Sequence, residues 1–418
     1  MKGETLSRRG LLAAAGSLLA APAALSPGQA VAQPAFGPDP DIDDELASEI
    51  LYEECEPGKE PAERAVIKPF WFQKPEGVRP SAHWPADNVS FDFAHLVGEP
   101  NSEEPFELTA PVLQQLVGLN SFQLGAQLPK VLFGLRGCVL AGNADRTAFA
   151  AAHQVRAVRP NHIDLRCLIG VWVPADNTIA LFKSSTVPNV DLMEKHIEGA
   201  LGCNMMPAGL HNYKVGAHRA PRQPGAFRQQ TPLWVMRSKK QLAYAANDPD
   251  TIWDDLDGNL PFDNIHAAML SGRRTPPFFS SAGCQVIAGA YDANRVPTGA
   301  WAAFRHAAGL SHPPAFIGGS SATRDDGRSF EYVLLTGKEA QLVARGNAKA
   351  ARALRYGSSG PAVAQLQEKL GAAAAGAAPG RFDRKTLGAV IRWQAEKKMA
   401  PTGIVAAQAA AALGLDWS

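Results

Sequence analysis

Short apolar runs separated by turn residues dominate the middle of the chain, from about residue 130 to residue 340. Runs of this kind, rich in β-branched and aromatic side chains and bounded by Gly, Pro, Asn or Asp, are typical of β-strands joined by turns. Residues 167–173 and 178–182 flank Pro174-Ala175-Asp176-Asn177, which predicts a β-hairpin. The middle of the chain therefore predicts a mainly β domain over residues 108–340, with further strands at residues 233–236, 284–288 and 330–335.

The segment before this domain has a different composition. Residues 33–107 are rich in Pro, Asp and Glu and sustain neither a period of 2 nor one of 3.6, which predicts a partly ordered lead-in. Residues 110–117 then have the apolar spacing of a short amphipathic helix with a proline near its start.

The first 32 residues have the composition of an export signal. The pair Arg8-Arg9 precedes an apolar stretch that runs to Ala24, and Ala30-Val31-Ala32 offers the small residues that signal peptidase needs. We therefore expect a twin-arginine signal peptide over residues 1–32, removed before Gln33, and a location in the periplasm or cell envelope. Because no later run reaches 18 apolar residues, no membrane anchor is expected after cleavage.

Charge and cysteine content disfavour several classes of protein. The 418-residue chain has 41 basic and 40 acidic side chains, and a net charge of +1 gives no broad field for binding nucleic acid. The cysteines show no C-x-x-C spacing, which argues against a zinc ribbon or a thioredoxin-like pair. Their odd number leaves at least one thiol outside any intramolecular disulfide. They are Cys55, Cys138, Cys167, Cys203 and Cys284, of which Cys138 and Cys167 are expected to pack in the core.

The last part of the chain has helical periodicity. Residues 341–353 are rich in Ala and charged side chains and predict a linker, and residues 354–418 predict three small helices. Val363, Leu366 and Leu370 form one apolar stripe, while Asp383 is a suitable N-cap for the second helix.

Two glutamine-bearing motifs in these residues resemble a known module. The patterns L-x-x-G-S-x-G-x-x-V-x-x-L-Q-x-x-L and G-x-F-D-x-x-T-x-x-A-V-x-x-W-Q, followed by T-G-I-V, are similar to the three-helix peptidoglycan-binding domain of cell-wall enzymes. The chain departs from that family in a longer insert at residues 372–378. The resemblance implies peptidoglycan as the partner and a role in retaining the protein at the wall.

One His/Cys pair in the β-rich region has the residue types of a nucleophilic site. His266 follows Asn264-Ile265, and Cys284 comes 18 positions later, after Ser281-Ala282-Gly283. An imidazole can take the proton of a thiol and turn the sulfur into a nucleophile, and backbone amides beside the cysteine can bind an oxyanion. Gly283 would let backbone and substrate approach closely. We therefore treat Cys284, His266, Ser281 and Gly283 as candidate catalytic residues.

This pattern resembles the L,D-transpeptidase catalytic domain, in which a histidine precedes S-x-G-C. The resemblance implies a mainly β fold of that type, with Cys284 as the acyl-accepting nucleophile, His266 as the base, and Ser281 and Gly283 shaping the pocket. The chain has Ala267 and Val286 where that family usually has a glycine after the histidine and an arginine two residues after the cysteine.

A second motif offers candidates for the missing arginine. The stretch from Pro207 to Arg219 resembles a Pro-Gly-x-x-x-Y-x-x-G-x-H-R-like pattern that accompanies N-I-H and S-A-G-C-Q in other bacterial and phage proteins. On this resemblance Tyr213, His218 and Arg219 are candidate substrate-binding residues.

The expected function is acyl transfer on peptidoglycan stem peptides without a cofactor or metal. Transfer to water instead of an amine would give a carboxypeptidase or endopeptidase, and a non-catalytic wall-binding protein is the third reading. A zinc site is a competing chemistry, although its four candidate ligands lack H-x-x-x-H or H-E-x-x-H spacing. These are His211, His218, His266 and Cys284.

Overall fold

The structure of the protein is a computed structural model. It describes residues 94–96, 98–99, 102–126, 128–189, 192, 203–219, 222–238, 251–269, 279–318 and 320–417. The expected signal peptide, Cys55 and most of the expected lead-in lie outside the described residues.

In the described residues, strands are the main regular elements before residue 337 and helices are the main regular elements after it. The strands are β1 (Phe106–Thr109), β2 (Val131–Arg136), β3 (Cys138–Leu140), β4 (Ala152–Ala157), β5 (Cys167–Val173), β6 (Thr178–Ser185), β7 (Gly209–His218), β8 (Gln223–Gln229), β9 (Val235–Ser238), β10 (Thr251–Asp254), β11 (Ile265–Ala267), β12 (Gln285–Ile287), β13 (Ala290–Tyr291), β14 (Pro297–Thr298) and β15 (Ser329–Thr336). The helices are α1 (Ala110–Leu119), α2 (Gly299–Ala307), α3 (Gly337–Ala344), α4 (Pro361–Leu370), α5 (Arg384–Glu396) and α6 (Ala407–Leu413).

Eight strands close into a barrel in the order β11-β12-β6-β5-β2-β15-β7-β8. Neighbouring strands are antiparallel except for β11 with β12 and β2 with β15, which are parallel. The predicted hairpin is confirmed as β5 and β6, and Asn177 takes the left-handed conformation that its tight turn requires. Side chains alternate across the barrel wall, so that Phe182 faces the inner core and Leu181 packs in an outer one.

The outer core lies between the barrel and a three-stranded sheet of order β1-β4-β3. The predicted helix near residue 110 is confirmed as α1, whose N-cap Thr109 accepts a hydrogen bond from the Val112 N–H. Strand β1 begins at Phe106, so the end of the expected lead-in is part of this sheet. Cys138 and Cys167 are both fully buried, as expected for cysteines in core positions.

The C-terminal module is built from α4, α5 and α6, and the predicted N-cap of its second helix is confirmed at Asp383. The side-chain amide of each motif glutamine holds a loop by bonding to one backbone N–H and one backbone carbonyl. Gln367 accepts a hydrogen bond from the Gly380 N–H at 2.9 Å and donates to the Ala378 carbonyl at 2.9 Å. Gln394 accepts from the Gly403 N–H at 2.8 Å and donates to the Ile404 carbonyl at 2.8 Å. These contacts explain the physical need for both glutamines.

The expected linker at residues 341–353 is folded instead. Its first residues complete α3, residues 348–351 form a 3-10 turn, and Ala351 and Ala353 are buried. The Ala- and charge-rich composition predicted a linker. Alanine side chains are also small enough to pack closely in a folded segment, so the composition did not distinguish the two. Immediately afterwards the buried Arg355 forms an ion pair with Glu339 of α3, which His95 also contacts at 3.1 Å.

The module packs directly on the β-rich region. The Trp253 indole N–H donates to the Pro401 carbonyl at 2.6 Å, and the Leu210 N–H donates to the Tyr356 carbonyl at 3.0 Å. Gly388 on α5 lies against the Trp234 ring so closely that a Cβ would come within 2.8 Å of it. The predicted mainly β architecture with a small helical C-terminal module is therefore confirmed. The more specific prediction, that the β domain has the L,D-transpeptidase fold, stays a prediction. No helix in the described part of the chain combines the length and apolar character needed to span a bilayer.

Candidate active site

Cys284 and His266 lie on adjacent strands of the barrel. His266 is the central residue of β11, and β12 begins at the residue after Cys284. The two strands are parallel, and His266 is in register with Val286, two residues beyond the cysteine. Since side chains alternate along a strand, Cys284 points to the same side as Val286. The pairing therefore brings the two predicted catalytic side chains together.

Backbone hydrogen bonds hold the loop that leads to Cys284. The Asn189 N–H donates to the Ser281 carbonyl at 2.7 Å, and the Asn204 N–H donates to the Ala282 carbonyl at 2.8 Å. The Ser281 hydroxyl donates to the Cys284 carbonyl at 2.7 Å and accepts from the Gly283 N–H at 3.3 Å. Ser281 thus fixes the shape of the loop from within it.

Gly283 is required by the backbone of this loop. Its φ is +150°, a conformation that side-chain-bearing residues rarely adopt. A Cβ at this position would collide with Asp263 Oδ1 and lie 2.7 Å from Asn204 Cβ. The glycine before the cysteine therefore permits both the turn and the close packing under it.

The thiol lies in a cluster with two imidazoles. Cys284 Sγ and one ring nitrogen each of His218 and His266 all lie within 4.8 Å of one another. Nucleophile and base are often this loosely placed in an unliganded site and move closer when substrate binds. The thiol also donates a long contact of 3.6 Å to the Phe262 carbonyl. Cys284 is only 6% exposed, so little of the residue meets solvent.

Hydrogen bonds assign the proton of His266. Its Nδ1 lies 2.8 Å from the Ala267 carbonyl, which can only accept, so this nitrogen carries the hydrogen. The Nε2 atom consequently has a free lone pair and can act as a base.

The opposite tautomer is assigned to His218. The Gln229 N–H donates to Asn264 Oδ1 at 3.0 Å, which turns the Asn264 amide NH₂ toward His218 Nδ1 at 2.9 Å. Because an amide NH₂ can only donate, His218 Nδ1 accepts and the hydrogen lies on Nε2. One histidine of the cluster therefore presents a lone pair and the other an N–H.

Burial keeps His266 neutral. Desolvation lowers the pKa of His266 well below its usual value, and the neighbouring His218 and the positive charge of Arg219 lower it further. The hydrogen bond to the Ala267 carbonyl opposes this shift without reversing it. The resting pair is therefore a neutral imidazole beside Cys284, in the protonation state that a general base needs.

The three predicted substrate-binding residues lie around this cluster in different roles. His218 is part of the cluster, and Arg219 is close enough to influence the pKa of His266. Tyr213 is fully buried, and its hydroxyl donates to the Asp263 carbonyl at 2.7 Å. Tyr213 therefore supports the segment before His266 from inside the barrel, and its burial makes direct contact with substrate implausible.

Two side-chain-bearing residues at the site have a strained backbone. Arg219 has a φ of +47° and Phe262 a φ of +57°. Each such conformation costs on the order of 1–2 kcal/mol, and strain of this kind concentrates at functional sites. The carbonyl of Phe262 accepts the Cys284 thiol and also the Asn264 N–H at 2.7 Å. The strained turn thus connects the cysteine to the segment that carries the histidine.

The cluster fits a metal ion poorly as it stands. His211 is not part of it: its Nε2 lies 3.0 Å from the Pro207 carbonyl, and its ring stacks on Tyr356. The rings of His218 and His266 are stacked with planes only 12° apart. A metal must lie in the plane of each imidazole that binds it, about 2.0–2.1 Å from the nitrogen, and two stacked planes share no such point. A shared zinc would require one ring to rotate away from its hydrogen-bond partner.

The sequence motifs contained some of the supporting residues without revealing their roles. Asn264 was visible as the first residue of N-I-H, two positions before His266, but its partner is a histidine on another strand. Asn204 and Asp263 pack under Gly283 and belong to no recognised motif. Only the fold brings these segments together.

Comparison with known proteins identifies the C-terminal module. Residues 359–413 match the model of the putative peptidoglycan-binding domain family. No curated protein and no solved structure matches the chain. The family match supports a peptidoglycan-binding domain at the C-terminus and association of the protein with the cell wall or envelope.

Proposed function

We propose that the protein is an exported cell-wall enzyme that transfers acyl groups of peptidoglycan stem peptides through Cys284, as in L,D-transpeptidases. The observation that carries the proposal is the clustering of Cys284 with two histidines of opposite tautomer on a chain that also has a peptidoglycan-binding domain. Export by the twin-arginine route belongs to the same proposal and rests on the sequence of residues 1–32.

The first half-reaction forms a thioester. His266 Nε2 takes the thiol proton as the Cys284 sulfur attacks the carbonyl carbon of a stem-peptide amide. The tetrahedral intermediate then collapses, the C–N bond breaks, and the protonated His266 gives its proton to the leaving amine. Burial and the charge of Arg219 lower the pKa of His266, which favours this second proton transfer and makes the imidazole a weaker base in the first one.

The second half-reaction regenerates the enzyme. An acceptor amine or water attacks the thioester carbonyl while His266 takes a proton from it, and the C–S bond breaks to return the thiol. An amine acceptor gives a cross-link, and water gives a trimmed peptide. Both outcomes use the same residues.

His218 and Arg219 have supporting roles in this scheme. The Nε2–H of His218 is a hydrogen-bond donor inside the cluster and can stabilise negative charge on the sulfur. Arg219 is a cation beside His266, and its planar guanidinium has the geometry to bind a carboxylate of the stem peptide.

The experiment that tests the function is product analysis of purified peptidoglycan by mass spectrometry. The wild-type chain is expected to produce cross-linked or trimmed stem peptides, and Cys284→Ala and His266→Ala are expected to produce neither. Cys138→Ala is the matched control, because that cysteine is buried in the outer core. Equal products from the wild type and Cys284→Ala would contradict the proposal and favour a wall-binding protein without this chemistry.

A further inference from the structure

A polar cleft lies outside the catalytic cluster, between the three-stranded sheet and the barrel wall. It has a volume of about 700 Å³, and its lining includes neither Cys284 nor His266. Residues of β3, β4 and β6 and of the loop before β5 form its walls. A cavity of this size holds a ligand as large as a short peptide or a small sugar.

The lining of the cleft carries an excess of positive charge. Arg156, Arg166 and Lys183 contribute three cations, and Asp164 contributes one carboxylate. That carboxylate already accepts a hydrogen bond from the Asn161 amide at 3.1 Å. Among the lining residues the cations therefore outnumber the carboxylates.

Two of these cations are available to a ligand. The Nε atom of Arg156 is buried and has no hydrogen-bond partner among the described residues. A buried donor left unsatisfied costs about 1–3 kcal/mol, which a bound acceptor would recover. Within the described part of the chain, Arg166 has a long ion pair of 3.8 Å with the exposed Glu103, and solvent-exposed pairs of this kind contribute little.

We propose that this cleft is a second peptidoglycan-binding site that takes a carboxylate of the stem peptide. Paired guanidinium groups suit the planar, bidentate geometry of a carboxylate. Peptidoglycan is the polymer that the C-terminal domain recognises, and its stem peptides carry such carboxylates. The inference rests on that domain and on the cleft, and it does not require acyl transfer at Cys284.

The wall of the cleft at Lys183 lies away from the thiol. Lys183 lies two residues before Ser185, which pairs with Val286, and Cys284 lies two residues before that partner. At a rise of about 3.3 Å per residue the two positions are roughly 13 Å apart along the antiparallel strands. Lys183 also lies next to the inward-facing Phe182 and so points to the outer side of the wall. The cleft would hold one part of the polymer while another part reaches the cysteine.

The test measures binding of a soluble tetrapeptide stem by isothermal titration calorimetry. The full chain with Cys284→Ala serves as the parent, so that no turnover interferes. We expect Arg156→Gln and Arg166→Gln each to raise the Kd on the order of tenfold. The same peptide with its carboxylates amidated should bind the parent and both variants with the same weak affinity.

Lys214→Gln, which removes a cation from the barrel outside the cleft, should leave the Kd unchanged. A Kd unaltered by Arg156→Gln and Arg166→Gln, in variants whose urea unfolding midpoint matches that of the parent, would overturn the proposal. If the amidated peptide bound the parent as tightly as the unmodified peptide does, that result would also overturn the proposal. Because the parent lacks the thiol, this result is independent of whether Cys284 performs acyl transfer.

Discussion

His218 and His266 stack face to face, with ring centroids 4.5 Å apart and planes tilted by only 12°. They come from different strands, and each ring is oriented by a separate hydrogen bond, from the Asn264 amide in one case and to the Ala267 carbonyl in the other. A proton on one ring disfavours a proton on the other, because two adjacent buried cations repel each other. The stack therefore disfavours simultaneous protonation of the two imidazoles beside the Cys284 thiol.

Asn264 is expected to position His218 without touching substrate. Asn264→Ala removes the donor to His218 Nδ1 and frees the ring to change tautomer, which should lower kcat by about 10–100-fold. In ¹⁵N NMR spectra the His218 hydrogen should no longer be confined to Nε2. Combining Asn264→Ala with His218→Gln should cost little more than His218→Gln alone.

The exposed Asn259→Ala is the control for this prediction and should change neither kcat nor the spectrum. Fully additive effects of the two substitutions would show that Asn264 acts independently of His218.

Gly283→Ala tests the backbone of the cysteine loop. A positive φ and a collision with Asp263 should together destabilise the fold by about 2–4 kcal/mol and slow any modification of Cys284. Gly118→Ala is a matched control, since Gly118 is exposed in α1 with nothing within 4 Å of a new Cβ. It should leave stability unchanged or raise it by up to about 1 kcal/mol. Urea unfolding curves give the free energy of unfolding of both variants. Equal stability of Gly283→Ala and Gly118→Ala would contradict this prediction.

Arg219→Ala should separate binding from chemistry. Loss of a charge-assisted contact to a carboxylate is expected to raise KM on the order of tenfold or more, with a smaller change in kcat. Because Arg219 lowers the pKa of His266, its removal should also move the acidic limb of the rate profile to higher pH. The exposed Arg324→Ala should do neither. If KM and the acidic limb were both unchanged, Arg219 would neither bind substrate nor affect the pKa of His266.

The strands and helices near residues 110, 167–182 and 354–413 could be predicted because their signals are local. Alternation, capping residues and turn residues all lie within a few positions of one another. Closure of the barrel could not be predicted, because β15 pairs with β2 and β7, and both strands lie more than 100 residues earlier in the chain. The hydrophobic pattern identifies a strand but not its neighbours.

The same distinction applies to the site. His266 and Cys284 could be paired from a spacing that resembles a known family, and their strands are indeed neighbours. His218 could be identified as a candidate but not placed in the cluster, because it reaches His266 only through the pairing of β7 with β8 and of β8 with β11. The support given by Asn264 and Asn204 depends on that same long-range pairing.

Buried histidines should make the fold sensitive to acid. Burial lowers the pKa of His162 to about 4 and that of His211 to about 3, although each ring donates a hydrogen bond to a backbone carbonyl that partly offsets the effect. Below the unfolded value of 6.5 the unfolded chain binds protons that the folded chain does not, so stability falls as the pH drops. Each histidine should cost about 1.4 kcal/mol per pH unit until its folded pKa is reached.

Urea unfolding of His162→Gln and of the wild type at pH 7 and pH 5 measures this effect. The variant should lose less stability between the two conditions, while the exposed His306→Gln should behave as the wild type does. An equal loss in His162→Gln would show that this histidine is protonated in the folded protein.

The central claim is that Cys284 is a nucleophile that forms an acyl-enzyme, and covalent capture tests it most directly. Incubation with a carbapenem followed by intact-mass spectrometry should show one adduct per wild-type chain, located at Cys284 by peptide mapping. His266→Ala should form it far more slowly, and Cys284→Ala should form none. The other described cysteines, Cys138, Cys167 and Cys203, are less exposed than Cys284 and should stay unmodified in the folded chain. A folded wild-type chain that remains unmodified, or one acylated equally in the absence of His266, would contradict the account.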